Sequence, residues 1–318
     1  MTRYLLTGGG GFVGQWLART LVGRGDEVTL AGIGSLDDGP RVLTPAERAR
    51  VRWISADFRS QPDVTALIEA GAPDVVVHLA GVAFPPDADR DPAGAYDINA
   101  LGVVRLLAAV ARAGAGANPT VVVVGSALQY GAHDAGELPL AEDAEQRPLT
   151  LYAASKAAQE VAALQAFRET GLRVVCTRSF NHTGPGHGDE YLLPSLVRRA
   201  RQMKRDGSRE LTLGGDTVRD YLHISDVVHA YLALAERGTP GEVYNVASGV
   251  GVSVRQLAAD VLLHAGVTAD ISTDPSLVRA TDIPVLVGSP AKLMRTTGWA
   301  PTKTHADIID DLLHAATD

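Results

Sequence analysis

The segment of this sequence that most constrains its fold is a run of four glycines, from Gly8 to Gly11. A β-prone apolar run at residues 4–7 precedes it, and a segment with helical periodicity at residues 12–23 follows it. Gly8, Gly11 and Gly14 have the spacing of a dinucleotide-binding turn, where glycines permit a tight turn, close approach of a pyrophosphate and close packing of helix on strand. The segment therefore predicts a phosphate-binding strand–turn–helix unit.

Short β-branched runs alternate with longer helical segments through the first half of the chain, as in βαβ units. We predict strands at residues 4–7, 28–31, 51–55, 75–79, 121–124 and 173–178. We predict helices at residues 12–23, 64–70, 94–113 and 152–170, which end near Gly23, Gly71, Gly114 and Gly171. The expected fold is α/β, a doubly wound parallel sheet of the Rossmann type with a smaller C-terminal α/β substrate lobe.

After residue 180 the alternation loosens into turns rich in glycine and proline. We assign residues 1–180 to a nucleotide-binding domain and 181–318 mainly to the smaller lobe, with about 225–250 returning to the main sheet. In this half we predict strands at 210–213 and 242–246, a basic helix at 193–205, and helices at 225–237 and 253–265 that pack back on the sheet. We interpret the basic helix as a solvated helix face.

Composition excludes several other classes of protein. The 318 residues are 46% hydrophobic and 21% charged, which is enough apolar material for a globular core. A net charge of -8 is not that of a nucleic-acid binder, and no apolar run approaches the roughly 18 residues that span a membrane. The single cysteine, Cys176, cannot form an intrachain disulfide, so we expect a cytoplasmic protein. We expect no metal site, because no histidine has metal-ligand spacing with cysteine or carboxylate.

A tyrosine and a lysine lie four residues apart on the helix predicted at residues 152–170. Tyr152 and Lys156 would share one helix face, and Lys156 is one of four lysines in the chain. An ammonium beside a phenol favours the phenolate, so we expect the pair to exchange a proton with a substrate oxygen. Ser126 follows a predicted strand, at the sheet edge where ligands bind, and could hydrogen-bond that oxygen.

The end of the second predicted strand indicates which nicotinamide cofactor is bound. NAD-binding sheets carry an acidic residue there for the ribose 2′-hydroxyl. Residues 30–33 of this chain contain no acidic residue, and the first carboxylate after them is Asp37. A carboxylate would repel a 2′-phosphate, so its absence favours NADP, with NAD as the alternative. Arg41 is a distant candidate for the phosphate.

The glycine loop at residues 7–14, Ser126 and the Tyr152–Lys156 pair occur together with a predicted strand end at residues 78–81 and with Asn99. In this combination they resemble the extended short-chain dehydrogenase/reductase family, whose members bind NAD(P) and mostly transform nucleotide-activated sugars. The likeness covers essentially the whole chain. Motifs at 178–186, 218–221, 279–284, 288–289 and 297–299 are most similar to the GDP-4-keto-6-deoxy-D-mannose reductases and GDP-mannose 4,6-dehydratases. The resemblance implies a nucleotide-diphosphate sugar as substrate, with a GDP-sugar favoured.

The resemblance also implies three groups of site residues. Those around the cofactor are Gly8, Gly11, Phe12, Val13, Gly14, Asp57, Phe58, Leu79, Ala80, Gly81, Asn99, Tyr152 and Lys156. The catalytic residues are Ser126, Tyr152 and Lys156. Those at the sugar nucleotide are Ser126, Asn181, Arg219, Arg279 and Asp282. The two arginines would bind the diphosphate, because a guanidinium makes bidentate contacts to phosphate.

Two departures from the family pattern narrow the reaction. Ala127 and Leu128 stand where the dehydratases carry carboxylates that remove water, and neither side chain can transfer a proton. Ser179 stands where the family usually has proline. The favoured activity is NADP-dependent reduction of a nucleotide-diphospho-4-keto-6-deoxy sugar at C4, with Tyr152 as proton donor. The alternatives are an NAD-dependent 4-epimerase and, less favoured, a 4,6-dehydratase or a non-catalytic NADP-sensing regulator.

The helices predicted at residues 94–113 and 152–170 have alanine- and leucine-rich faces. In the family that this chain resembles, such helices pair across a twofold axis, which implies a homodimer. The alternative is that these faces only cover the sheet.

Overall fold

The computed structural model describes residues 1–113, 118–277 and 282–315. The strands of this part of the chain are β1 (Arg3–Thr7), β2 (Glu27–Gly32), β3 (Val51–Ser55), β4 (Val75–His78), β5 (Thr120–Ser126), β6 (Val174–Ser179), β7 (Asn181–Thr183), β8 (Glu210–Leu213), β9 (Val218–His223), β10 (Val243–Val246), β11 (Gly251–Ser253), β12 (Asp270–Thr273) and β13 (Val285–Leu286). The α-helices are α1 (Phe12–Arg24), α2 (Pro45–Arg48), α3 (Gln61–Gly71), α4 (Pro85–Arg90), α5 (Pro92–Tyr96), α6 (Gly102–Arg112), α7 (Leu151–Thr170), α8 (Leu192–Asp206), α9 (Ile224–Arg237), α10 (Val254–Ala265), α11 (Ala291–Thr297) and α12 (His305–His314).

The main sheet has the strand order β10-β6-β5-β4-β1-β2-β3, and its neighbouring strands are parallel. This arrangement confirms the predicted Rossmann-type fold. The chain leaves β1 towards β2 and later returns to β4 on the other side of β1. That reversal of strand order is the point where open α/β sheets bind ligands, outside the carboxyl ends of the strands. Thr7, His78, Ser126 and Ser179 end β1, β4, β5 and β6 at this edge.

Both faces of the main sheet are covered by helices, which explains why its central strands are continuously apolar. On one face Leu6 and Val77 pack in a cluster with the buried side chains of α1 and α9. On the other face Leu5 and Val76 pack in a cluster with those of α3, α6 and α7. The valine runs of β4 and β5 therefore supply both cores, since successive side chains point to opposite faces.

Two of the glycines near which helices were predicted to end do not provide the left-handed C-cap. α1 runs past Gly23, and its left-handed C-cap is Gly25, whose N–H bonds the carbonyls near the helix end. α3 ends at Gly71, and its left-handed C-cap is Ala72, which has a positive φ of 35°. Pro73 follows Ala72 and disfavours a right-handed helical conformation there. Gly171 caps α7 as predicted, and Gly114 lies outside the described residues.

The helix predicted at residues 94–113 is interrupted. α5 passes into a π-helical turn at Asp97–Leu101 and then into α6. Within the described ranges, Pro92–Arg112 is the one helical stretch that is long and apolar enough to cross a membrane by length and composition. Half of its apolar window is buried, and α6 packs against α3 and α7, as a core helix does.

The smaller lobe has its own core. α8, α10 and α12 pack together with Leu196, Leu257 and Ile309 in its interior. The prediction that the helix at 253–265 packs on the main sheet is therefore wrong, because its buried side chains face α8 and α12. By contrast, α9 lies on the main sheet, and β10 pairs with β6.

The basic helix α8 has specific partners within the protein. Arg201 donates to three carbonyls at the end of α12, and Lys204 donates to the carbonyl of Ala265 at the end of α10. Cations at these positions satisfy helix carbonyls and complement the helix dipole. Part of this basic face therefore serves the fold of the lobe.

Candidate active site

A cleft of about 1010 Å³ opens at the carboxyl edge of the main sheet. Its lining comes from the glycine loop, the ends of β4 and β5, the start of α7, residues 179–194 and β9. Many predicted site residues meet in this lining: Gly8, Gly11, Phe12, Val13, Gly14, Leu79, Gly81, Ser126, Tyr152, Lys156, Asn181 and Arg219. The fold thus brings together residues that are more than 200 positions apart in the chain.

The glycine loop is shaped as a phosphate cradle. Gly8 has a φ of 66°, and a Cβ there would lie 2.8 Å from the Ala80 nitrogen. A Cβ on Gly14 would lie 2.6 Å from the Cα of Gly9, so both positions require glycine. Gly11 starts α1 without a side-chain cap, and the first residues of α1 line the cleft. Uncapped N–H groups at a helix N-terminus bind phosphate, so this loop fits a dinucleotide pyrophosphate.

Ser126, Tyr152 and Lys156 converge at the floor of the cleft, and each is at most 8% exposed. Ser126 ends β5, and its hydroxyl is close enough to the Tyr152 phenol to lower the pKa of that group. The Lys156 ammonium donates to the Val124 carbonyl at 3.0 Å and to the Gln159 Oε1 at 2.9 Å. Strand β5 and helix α7 therefore hold all three groups in one place.

The pKa of Tyr152 is set mainly by burial in the protein alone. Burial raises the pKa of Tyr152 to about 12, and the nearby Ser126 hydroxyl only partly opposes the rise. Burial also lowers the pKa of Lys156 to about 8. Desolvation of the phenol dominates in the protein alone, whereas the expectation that Lys156 favours the phenolate concerns the complex with an oxidised nicotinamide and stays a prediction. Tyr152 is protonated at neutral pH and can act as a proton donor.

Asn99 lies behind the cleft and not in its lining. It sits in the π-helical turn, a feature often found at functional sites. Its amide accepts from the Val82 N–H at 2.9 Å and donates to the Ser155 hydroxyl at 2.8 Å. Ser155 in turn donates to the Tyr152 carbonyl. Asn99 thus connects the segment after β4 to the turn of α7 that carries Tyr152.

The other predicted cofactor residues lie outside the cleft lining. Asp57 follows β3 and is paired with Arg59 at 2.7 Å. Phe58 is buried in the core and its ring lies 5.5 Å from that of His78. Ala80 is also buried, directly beneath Gly8.

Only some of the predicted substrate residues line the cleft. Arg219 lies in its wall and donates through Nη1 to the carbonyls of Val218 and Ile283. Asp282 contributes to the electrostatic environment of Arg219 and raises its pKa, although burial lowers that pKa more strongly. Arg279 lies outside the described residues. The Ser179 hydroxyl is 2.7 Å from the Tyr231 hydroxyl, a contact between β6 and α9 that proline could not make.

The structure adds an aromatic row that sequence analysis missed. Phe12 stacks on His187 at 4.4 Å, His187 stacks on Tyr191 at 3.9 Å, and Phe84 contacts Tyr191 edge-on. All four side chains line the cleft, as does His182. No local periodicity marks this row, because its members come from three separate segments: the start of α1, the residue before α4 and the loop before α8. The clustering of two histidines and a tyrosine after Asn181 is the one signal that the sequence offers.

Comparison with known proteins identifies the family. The sequence profile described as "NAD dependent epimerase/dehydratase family" matches residues 4–247. A GDP-6-deoxy-D-mannose reductase from Pseudomonas aeruginosa is 37% identical over 246 residues, which are 77% of this chain and 80% of that protein.

Solved structures agree with this match. The structure of RMD from Pseudomonas aeruginosa complexed with NADPH has a TM-score of 0.82 and 32% identity, covering 98% of both chains. A Thermus thermophilus UDP-glucose 4-epimerase in complex with NAD has a TM-score of 0.81 and 27% identity, covering 99% of this chain and 100% of that one. The resemblance seen in the motifs is confirmed: the chain belongs to the NAD dependent epimerase/dehydratase family, within the extended short-chain dehydrogenases/reductases, and is an enzyme.

Proposed function

We propose that this enzyme is an NADP-dependent reductase of a nucleotide-diphospho-4-keto-6-deoxy sugar, with GDP-4-keto-6-deoxy-D-mannose as the favoured substrate. The observation that carries the proposal is the surface beside Ser126. Ala127 and Leu128 line the cleft there, so the proton-transferring carboxylates that dehydration requires are absent at these two positions. The match to a GDP-6-deoxy-D-mannose reductase supports the same reaction and the GDP-sugar.

The residues of the cleft divide the reaction between them. A bound nicotinamide supplies the hydride that reduces the C4 carbonyl. Tyr152, protonated because of its raised pKa, gives its proton to the carbonyl oxygen as that oxygen becomes a hydroxyl. Ser126 donates a hydrogen bond to the same oxygen. Lys156, one helical turn after Tyr152, stabilises the phenolate that remains until solvent returns the proton.

NADP(H) is favoured over NAD(H) by the loop after β2. Ile33 directly follows β2, in the region where NAD-binding sheets carry a carboxylate, and this apolar residue is 63% exposed. The nearest carboxylates are already engaged, since Asp37 pairs with Arg48 at 2.8 Å and Asp38 accepts from the Ser35 N–H. The NADPH complex of the similar Pseudomonas structure supports this preference, and NAD remains the alternative because the Thermus epimerase binds it.

One assay tests the reaction. The purified enzyme is mixed with freshly prepared GDP-4-keto-6-deoxymannose and either NADPH or NADH, and loss of the reduced cofactor and the sugar product are followed together. We expect stoichiometric oxidation of NADPH, faster than that of NADH. Interconversion of two nucleotide hexoses without net oxidation of either cofactor would instead establish the 4-epimerase.

Arg219 tests the placement of the diphosphate. Charge-assisted hydrogen bonds to phosphate are strong, so the Arg219→Met variant is expected to raise KM for the sugar nucleotide by about 10- to 100-fold. Its Kd for NADPH should stay at the wild-type value. The matched control is Arg198→Met, which removes an exposed arginine of α8 that pairs with Asp189. Equal KM values for the two variants would contradict a role for Arg219 in binding the diphosphate.

We also propose that the enzyme is a homodimer that pairs through α6 and α7. These adjacent helices expose Val104 on α6 and Val161 on α7, which are 46% and 64% exposed, and Leu101 at the start of α6 is 49% exposed. Apolar side chains grouped on one surface indicate an interface.

The double variant Val104→Glu/Val161→Glu is expected to be a monomer, because burying two unpaired carboxylates at an interface is strongly unfavourable. Light scattering should give the 33.3 kDa mass of one chain, against twice that mass for the wild type. Leu263→Glu is the control, since Leu263 is 74% exposed but lies on α10 in the smaller lobe. A wild-type mass of one chain would refute the dimer.

We further assign residues 1–180 mainly to cofactor binding and chemistry and the later residues mainly to the sugar nucleotide. A cytoplasmic location fits the single, buried, unpaired Cys176.

A further inference from the structure

A buried polar network lies directly behind Ser126. Arg178 on β6 and Glu160 on α7 form a two-point ion pair, at 2.7 Å and 2.9 Å, and both side chains are nearly inaccessible to solvent. Gln129, which is fully buried, donates to Glu160 at 3.0 Å and to Gln146 at 3.3 Å. Its Oε1 accepts from the backbone N–H of Ser126 at 2.9 Å.

The orientation of the Gln129 amide follows from these partners. A carboxylate paired with arginine can only accept hydrogen bonds, so the Gln129 amino group must face Glu160. The carbonyl oxygen must then face Ser126. The Gln129 oxygen lies close against the backbone before Ser126, since a Cβ on Gly125 would be only 2.6 Å from it. The ion pair therefore fixes one end of Gln129, and Gln129 fixes the backbone of Ser126.

This network joins the two elements that carry the reacting groups. Tyr152, Lys156 and Glu160 are spaced at four-residue intervals on α7, and Ser126 ends β5. We propose that Gln129 is a positioning residue, which sets the place of the Ser126 hydroxyl relative to Tyr152 by tying the turn after β5 to Glu160. The inference deepens the proposed function and rests on it for its effect on turnover.

The energetics of the ion pair support a positional role. A buried ion pair generally stabilises a fold no more than apolar side chains of similar volume would, because both charges lose their hydration. What the pair provides here is a fixed acceptor for Gln129. A displacement of about 1 Å in a reacting group can lower a rate about 100-fold.

Two variants of the same network separate positioning from stability. Gln129→Met keeps the volume and removes the bond to Ser126. Gln146→Met removes the bond that Gln146 donates to Glu160 at 2.7 Å and the one it accepts from Gln129, and leaves Ser126 untouched. We expect Gln129→Met to lower kcat for the keto sugar by about 10- to 100-fold with an unchanged Kd for NADPH. We expect Gln146→Met to keep the wild-type kcat. This should hold even if its melting temperature falls as far as that of Gln129→Met.

A second measurement needs no substrate. Hydrogen–deuterium exchange, resolved at Ser126 by overlapping peptides that begin before residue 124, reports on the Ser126 N–H. Exchange should be faster in Gln129→Met and unchanged in Gln146→Met. If the wild type does not reduce the keto sugar, the proposed function fails and exchange alone decides this inference. Equal exchange in the two variants, or equal loss of kcat, would overturn it.

Gln129→Glu keeps the inference testable if Gln129→Met does not fold. It retains an acceptor for Ser126 and places a second carboxyl beside Glu160, and only the protonated form of the introduced carboxyl can donate to Glu160. Protection of the Ser126 N–H should persist at low pH and be lost as the pH rises and that proton leaves. Fast exchange at every pH in a folded variant would contradict the proposal.

Discussion

The Tyr152→Phe variant is expected to lose about 10²- to 10⁴-fold in kcat, which is the usual contribution of a positioned general acid. Phenylalanine removes only the hydroxyl, so the cleft keeps its shape and the glycine loop is untouched. NADPH should therefore bind with wild-type affinity, measured by titration of cofactor fluorescence. Stopped-flow measurement of NADPH oxidation with the keto sugar gives the rate.

Tyr130→Phe is the matched control for this prediction. Tyr130 is also a buried tyrosine near Ser126, but its hydroxyl bonds to Asn245 and the Ala141 carbonyl and does not line the cleft. Loss of the Tyr130 hydroxyl should lower the free energy of unfolding and leave kcat unchanged. Full turnover by Tyr152→Phe would refute the proposed proton donor.

The Lys156→Met variant is expected to be inactive and yet more stable than the wild type. Burial lowers the pKa of Lys156 from its usual 10.5 to about 8, so the folded protein at neutral pH carries a charge in an unfavourable place. Removing that charge should raise the free energy of unfolding at pH 7 by up to about 3 kcal/mol. The lost hydrogen bond to Gln159 reduces the gain. Urea unfolding of both proteins at pH 7 measures the difference.

The pH dependence gives this prediction a definite sign. Between pH 8 and 10.5 the unfolded chain binds the Lys156 proton and the folded chain does not, so the Lys156 contribution to stability rises with pH across this window. Burial raises the pKa of the Cys176 thiol and opposes this rise above about pH 9, so the test is the difference between proteins. The excess stability of Lys156→Met over the wild type should shrink as the pH rises, and Lys303→Met, which removes a partly exposed lysine, should show no such pH-dependent difference. A Lys156→Met protein that is no more stable than the wild type at pH 7 would contradict the argument.

Local sequence signals predict the parts of the site that depend on neighbouring residues. Gly8, Gly11 and Gly14 act within one turn, and Tyr152 and Lys156 share one helix face, so spacing alone brings them together. The network of Gln129, Glu160 and Arg178 could not be predicted in this way. Its members come from a turn, a helix and a strand, and only the packing of α7 on β5 and β6 brings them into contact.

Burial limits sequence-based reasoning in a second respect. The neighbouring lysine indicates a phenolate at Tyr152, but in the protein alone burial of the phenol raises its pKa. The path of α10 is missed for a similar reason: its apolar face fits the main sheet and the smaller lobe equally well. The pairing of β11 with β9 places the start of that helix in the lobe, and its buried side chains pack against α8 and α12.

The return of α9 and β10 to the main sheet determines how such an enzyme can change its specificity. These elements follow β7, β8 and β9 in the chain, yet Val227 and Tyr231 of α9 cover the same sheet face as Leu6. A protein cut after residue 180 would lack this cover and one edge strand. Changes of side chains and loops within the lobe leave the main sheet intact, whereas exchange of the whole C-terminal half would also replace a helix that covers this sheet and one of its edge strands.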